Sequence, residues 1–154
     1  MTRPRILLLA DTPNLYRSAV RKYGPSVWLD YGAFRQAARS VGPVHCEAVV
    51  NGGVSTRFVD WLKRLGYGVT FSHAEDVDEM LIARAVALHR STDSLVIASG
   101  DGKNVELIHL FKAVKKRAVV AGVSGSIHRD LRVAADAVLE FPVRLPNALA
   151  AGVA

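Results

Sequence analysis

Two unbroken apolar runs in this chain each lead to an aspartate. Ile6-Leu7-Leu8-Leu9-Ala10 ends at Asp11, and Leu95-Val96-Ile97-Ala98 continues through Ser99-Gly100 to Asp101. Runs this short, bounded by turn residues, read as strands, and they lack the alternation of a strand with one wet face. A strand that is apolar at every position is covered on both sides, as in a parallel sheet layered between helices. In such sheets ligands bind beyond the carboxyl ends of the strands, where the strand order reverses. The feature that sets the fold class therefore also delivers two carboxylates to one sheet edge.

The rest of the chain keeps the same rhythm. Residues 30 to 41 follow a helical pattern, with Phe34, Ala37, Ala38 and Val41 on one stripe and Gly42-Pro43 as the stop. Val44 to Val50 is a second strand, and Asn51-Gly52-Gly53 a turn. Ser55 caps a helix through Leu65, and Val69-Thr70-Phe71 is a third, shorter strand. Asp76 opens a helix to about His89, with Met80, Leu81, Ala83, Ala87 and Leu88 as its apolar face. The fourth strand is Ser94 to Ala98, followed by a helix over 104 to 114 and a fifth strand, Ala118 to Val123. A short helix near 128 to 135 and an extended stretch over 137 to 141 close the domain. Residues 15 to 29 fit least well, and the segment 15 to 24 reads as a short helix interposed between the first strand and its crossover helix. This alternation predicts an α/β fold: a three-layer α/β/α sandwich around a mainly parallel sheet with right-handed crossovers. With the strands counted along the chain, the expected order is 3-2-1-4-5, which sets the first and fourth strands side by side.

With 154 residues, half of them hydrophobic, the chain supports one core, expected as a single domain over residues 1–146 with an apolar tail at 147–154. No apolar run approaches the roughly 18 to 20 residues of a membrane span. The five apolar residues after Arg5 make a strand rather than a signal peptide. One cysteine, Cys46, excludes an internal disulfide and a cysteine-rich zinc site, and suits a reducing cytoplasm. A net charge of +6 favours a polyanionic partner. The tail and Phe141-Pro142-Val143 offer apolar surface for a homodimer.

A third acidic group comes from Glu75-Asp76-Val77-Asp78-Glu79, at the start of the helix that leads to the fourth strand. Asp76 suits a helix cap, and Asp78 is the better candidate to face the sheet edge. Three carboxylates gathered together repel one another unless a cation compensates, and hard oxygen donors without histidine or thiolate favour magnesium or manganese. Asn14 and Ser99 stand where they could orient Asp11 or Asp101, as could Asp76. Arg17, Arg21, Lys22, Arg57, Lys103 and Asn104 are candidates to meet substrate phosphates. The five histidines are scattered without metal-ligand spacing. Gly100-Asp101-Gly102 lacks the third glycine of a dinucleotide fingerprint, and Gly102-Lys103-Asn104 lacks the hydroxyl residue of a phosphate-binding loop. A phosphoacceptor receiver domain needs an aspartate after the third strand, where this chain has Phe71-Ser72-His73.

Taken in order, Asp11-Thr12-Pro13-Asn14-Leu15-Tyr16, Leu29-Asp30-Tyr31, Val77-Asp78, Ser99-Gly100-Asp101-Gly102 and the stretch Asp130 to Asp136 resemble the NYN domains of the PIN-like nuclease superfamily. The resemblance implies a PIN-like fold, a Mg2+- or Mn2+-dependent endoribonuclease activity on RNA, and Asp11, Asp78 and Asp101 as catalytic and metal-binding acids. It also marks a departure: the family commonly has another aspartate, followed by an aromatic residue, where this chain has Lys103-Asn104. Two readings follow. Either Lys103 points outward to a substrate phosphate and the enzyme is active, or its ammonium replaces the cation. The second would leave a catalytically weak or inactive RNA-binding or interaction module.

Overall fold

The computed structural model of the chain describes residues 2–73 and 76–146. Strands β1 (Ile6–Asp11), β3 (Val44–Asn51), β4 (Gly68–Ser72), β5 (Ser94–Ala98), β6 (Arg117–Gly122) and β7 (Ala137–Glu140) form one sheet in the order β4-β3-β1-β5-β6-β7. All of its pairings are parallel. The expected order of five strands is thus present, extended by β7 at one edge. Helices α1 (Thr12–Tyr23), α2 (Tyr31–Arg39) and α3 (Thr56–Arg64) cover one face, against Leu8, Ala10, Ala48 and Val50. Helices α4 (Val77–Leu88), α5 (Val105–Ala113) and α6 (Arg129–Ala134) cover the other, against Leu7, Leu9, Val49, Leu95 and Ile97. Alternate residues of β1 go to opposite layers, which is why the run must be apolar throughout.

Three elements differ from expectation. The segment after β1 is a full helix, α1, which starts directly after Asp11 because that aspartate caps it: the Asn14 N–H donates to Asp11 Oδ1 at 3.1 Å. Two-residue strands β2 (Trp28–Leu29) and β8 (Val143–Arg144) pair antiparallel, a contact between distant segments too short to carry a periodic signal. Phe141, expected at a dimer contact, is buried, with its ring 4.6 Å from that of Phe34 and 5.1 Å from that of Tyr31. The 147–154 tail lies outside the described residues.

Helix faces also shift. In α4 the buried positions are Val77, Leu81 and Ala85, one every turn, whereas Ala83 and Ala87 are exposed. That helix is apolar on most sides, so periodicity alone could not choose its inner face. What orients it is a polar anchor: Arg84 grips the buried Glu47 of β3 with Nε–Oε1 at 2.6 Å and Nη2–Oε2 at 2.8 Å. In α2, Tyr31 and Phe34 are buried, while Ala37 is exposed and Val41 lies beyond the helix in the open.

Gly100 fixes the turn that carries Asp101. A Cβ there would lie 2.0 Å from the carbonyl oxygen of Ser126, a backbone atom that cannot swing aside. Gly100→Ala is therefore expected to cost about 1–3 kcal/mol, a fall of roughly 3–10 °C in melting temperature. A thermal melt checks this; an unchanged midpoint would mean that the Ser126 segment yields freely.

Candidate active site at the sheet edge

The register of β1 on β5 pairs Ala10 with Ala98, so the next residues, Asp11 and Ser99, leave the sheet side by side. Ser99, fully buried, links the two strand ends. Its hydroxyl donates to Asp11 Oδ2 at 3.0 Å and accepts the Asp101 N–H at 3.1 Å and Asn104 Nδ2 at 3.2 Å. The Asn14 side chain closes the other side, accepting the Gly100 N–H at 2.8 Å on Oδ1. Asn14 therefore ties the two loops together, and it is its backbone that holds Asp11. Asp101 in turn caps the short turn Gly102–Asn104 by accepting the Lys103 N–H at 3.0 Å.

Asp78 reaches the same edge from the first turn of α4, next to the buried Val77. The three carboxylates sense one another. Burial pushes the Asp11 carboxyl up to about 6, against the stabilising bonds from the Asn14 N–H and the Ser99 hydroxyl, and Asp78 and Asp101 add to the rise. Burial also raises Asp78, with Asp101 contributing and Lys103 opposing. The Lys103 ammonium stands 3.9 Å from Asp78 Oδ2, on a side chain that is 76% exposed.

As a donor set these acids fit a hard divalent cation. The buried Asp11 has no lysine or arginine partner among the described residues, and its raised pKa marks negative charge awaiting compensation. They do not form a closed cage: among the described residues, no three His, Cys, Asp or Glu side chains stand close enough to hold a metal by themselves. That spacing suits an ion that keeps several waters and takes one or two carboxylates, the usual habit of magnesium.

Other expected residues are distributed differently. Asp76 occupies the N-cap position of α4, yet its side chain makes no capping bond. Glu75 lies outside the described residues. Asn104, expected to meet substrate, is fully buried beneath the loop, where its amide supports Ser99 and the Asp101 carbonyl. The turn Gly102–Asn104 directs it inward, away from the position of a substrate contact. Lys22 donates to the Ser124 carbonyl at 2.8 Å beyond β6. Arg21 is exposed on α1, and Arg17 faces a cleft. That cleft, about 870 Å³, was not anticipated. It opens beside the acidic edge, sharing Thr12 and Pro13, the two residues after Asp11, and its aromatic wall comes from segments too far apart in sequence to form a motif. No described helix is long and apolar enough to cross a membrane.

The family model for the NYN domain matches residues 5–142. No curated protein matches the sequence. The fold is similar to that in the crystal structure of a protein of unknown function, VPA0982 from Vibrio parahaemolyticus RIMD 2210633, with a TM-score of 0.78 and 22% identity. The match covers 91% of this chain and 94% of that one, and at this identity it speaks for the fold alone.

Proposed function

This chain belongs to the NYN domain family of the PIN-like nuclease superfamily, and from that premise we propose that it is a Mg2+- or Mn2+-dependent ribonuclease acting at the Asp11–Asp78–Asp101 edge. The observation that carries the reading is the meeting of these three acids from β1, α4 and the β5 turn, with a buried Asp11 whose pKa is raised to about 6. One or two of Asp11, Asp78 and Asp101, completed by waters, would hold the cation, which would supply Lewis acidity toward a phosphoryl oxygen and the attacking water. Ser99 and the Asn14 N–H fix the direction of the Asp11 oxygens. The exposed Lys103 ammonium can meet a phosphate of the substrate without leaving the site.

Incubation of labelled RNA with protein and Mn2+ should give cleavage that EDTA stops, and Asp101→Asn should lower the rate by about two orders of magnitude or more. Cleavage indifferent to both chelator and substitution would overturn the mechanism.

One observation favours a second reading. The Lys103–Asp78 contact supplies an internal cation where the family commonly has a carboxylate, which would leave an RNA-binding module without turnover. That reading expects salt-sensitive RNA affinity, no cleavage and no rise in melting temperature with Mn2+.

A further inference from the structure

We propose that the aromatic cleft beside the acidic edge binds unstacked bases of single-stranded RNA, making single strands the preferred substrate class; this rests on the RNA-directed reading above. The cleft lies between α1, the β2 segment and α3, on the layer opposite α4, and its wall includes Thr12 and Pro13, which directly follow Asp11. Its mouth carries Trp28, 61% exposed, with the Trp61 ring 6.3 Å away and tilted by 53°. Tyr16, 57% exposed, stands on the α1 side. Large apolar rings left in water are costly, Trp28 and Tyr16 stand together at one cleft, and every base offers such rings a π-face.

Charge argues for the same occupant. Arg17, Arg57 and Arg64 all line this cleft, and among the described residues no carboxylate does. Guanidinium groups around aromatic rings match a phosphate backbone with its bases turned inward, a pattern that a paired duplex with stacked bases cannot meet. The wall also keeps unused polar capacity: Tyr31 Oη and Asn51 Oδ1 are buried there without a hydrogen-bond partner among the described residues, suited to a base edge or a bridging water.

Trp28 and Trp61 are the only tryptophans in the chain, so indole fluorescence reports on this cleft alone. The experiment titrates Asp101→Asn protein in EDTA, to suppress cleavage, with a single-stranded oligoribonucleotide, its duplex and an abasic strand of the same length. The single strand should quench the fluorescence and bind about tenfold more tightly than the abasic strand, and Trp28→Ala should lose about the same factor. Trp28 is exposed and its strand pairing uses the backbone, so this variant should keep its fold; circular dichroism checks it, and Arg57→Ala, also on the surface, provides a second variant with an expected loss of affinity. Equal affinity for abasic and normal strands, or Trp28→Ala binding as well as the parent, would overturn the proposal even if Mn2+-dependent cleavage is observed. Conversely, base-dependent binding without any cleavage would sustain the cleft and defeat the nuclease reading. Sedimentation that shows a dimer lost in Trp28→Ala, or quenching gained only after deletion of residues 147–154, would assign the cleft instead to a second copy or to the chain's own tail, and would likewise overturn it.

Discussion

Asp11→Asn is expected to make the protein more stable at pH 8, by about 1–2 kcal/mol, while abolishing cleavage of RNA. The Asp11 side chain is 3% exposed, and burial raises its pKa from an ordinary 3.8 to about 6. Between those values the folded protein retains a proton that the unfolded chain has released. Below pH 4 both states are protonated and the group favours neither. As the pH rises through 6 the fold must accommodate a desolvated anion beside Asp78 and Asp101, and the full penalty stands above that pH. Asparagine keeps the shape and an acceptor for the Asn14 N–H without the charge, but its NH2 cannot accept the Ser99 O–H, so the lost bond offsets part of the gain. Urea unfolding of both proteins at pH 4 and pH 8 checks this: the two should converge in acid and separate in base. Mn2+ at pH 8 should then stabilise only the parent, because a bound cation removes the same penalty. A variant no more stable than the parent at pH 8 would mean that solvent already screens Asp11.

That trade of stability for charge is the kind of local conflict that marks a working site, and it bears on what could be read from residues alone. The sheet was legible because β1 and β5 bury both faces, so their composition states their environment without ambiguity. The convergence of Asp11 and Ser99 followed once those strands were neighbours. The inner face of α4 was not legible, since Val77 to Leu88 is apolar nearly all round and its orientation depends on Arg84 reaching Glu47 across 37 positions of sequence. Asn104 shows the same limit at the site itself: its place next to Asp101 could be inferred, but whether it faces substrate or core was decided by one turn of the backbone. The cleft lay furthest out of reach, because Trp28, Tyr31, Phe58 and Trp61 come together only when α2 and α3 pack on one layer and β8 holds β2 in place.

Lys103→Asp is expected to tighten Mn2+ binding about tenfold, with Lys103→Met intermediate. The substitution changes the charge near Asp78 by two units without disturbing the loop, because the Lys103 backbone N–H makes the bond to Asp101 whichever side chain is present. A full Coulomb interaction at 3.9 Å would predict more, but the lysine side chain is 76% exposed and water screens most of it. Calorimetric titration of Mn2+ into the three proteins measures the effect, and cleavage at limiting Mn2+ should rise in step with affinity. The same variants separate the two readings of this residue. If the ammonium acts mainly as a surrogate cation, Lys103→Asp gains metal and cleavage together. If it acts mainly on substrate, the variant gains metal but binds RNA less tightly, so that cleavage improves at low Mn2+ and declines once the ion saturates. Unchanged Mn2+ affinity would show that the 3.9 Å contact with Asp78 does not compete with the ion, and the case for an inactive module would lose its one structural support.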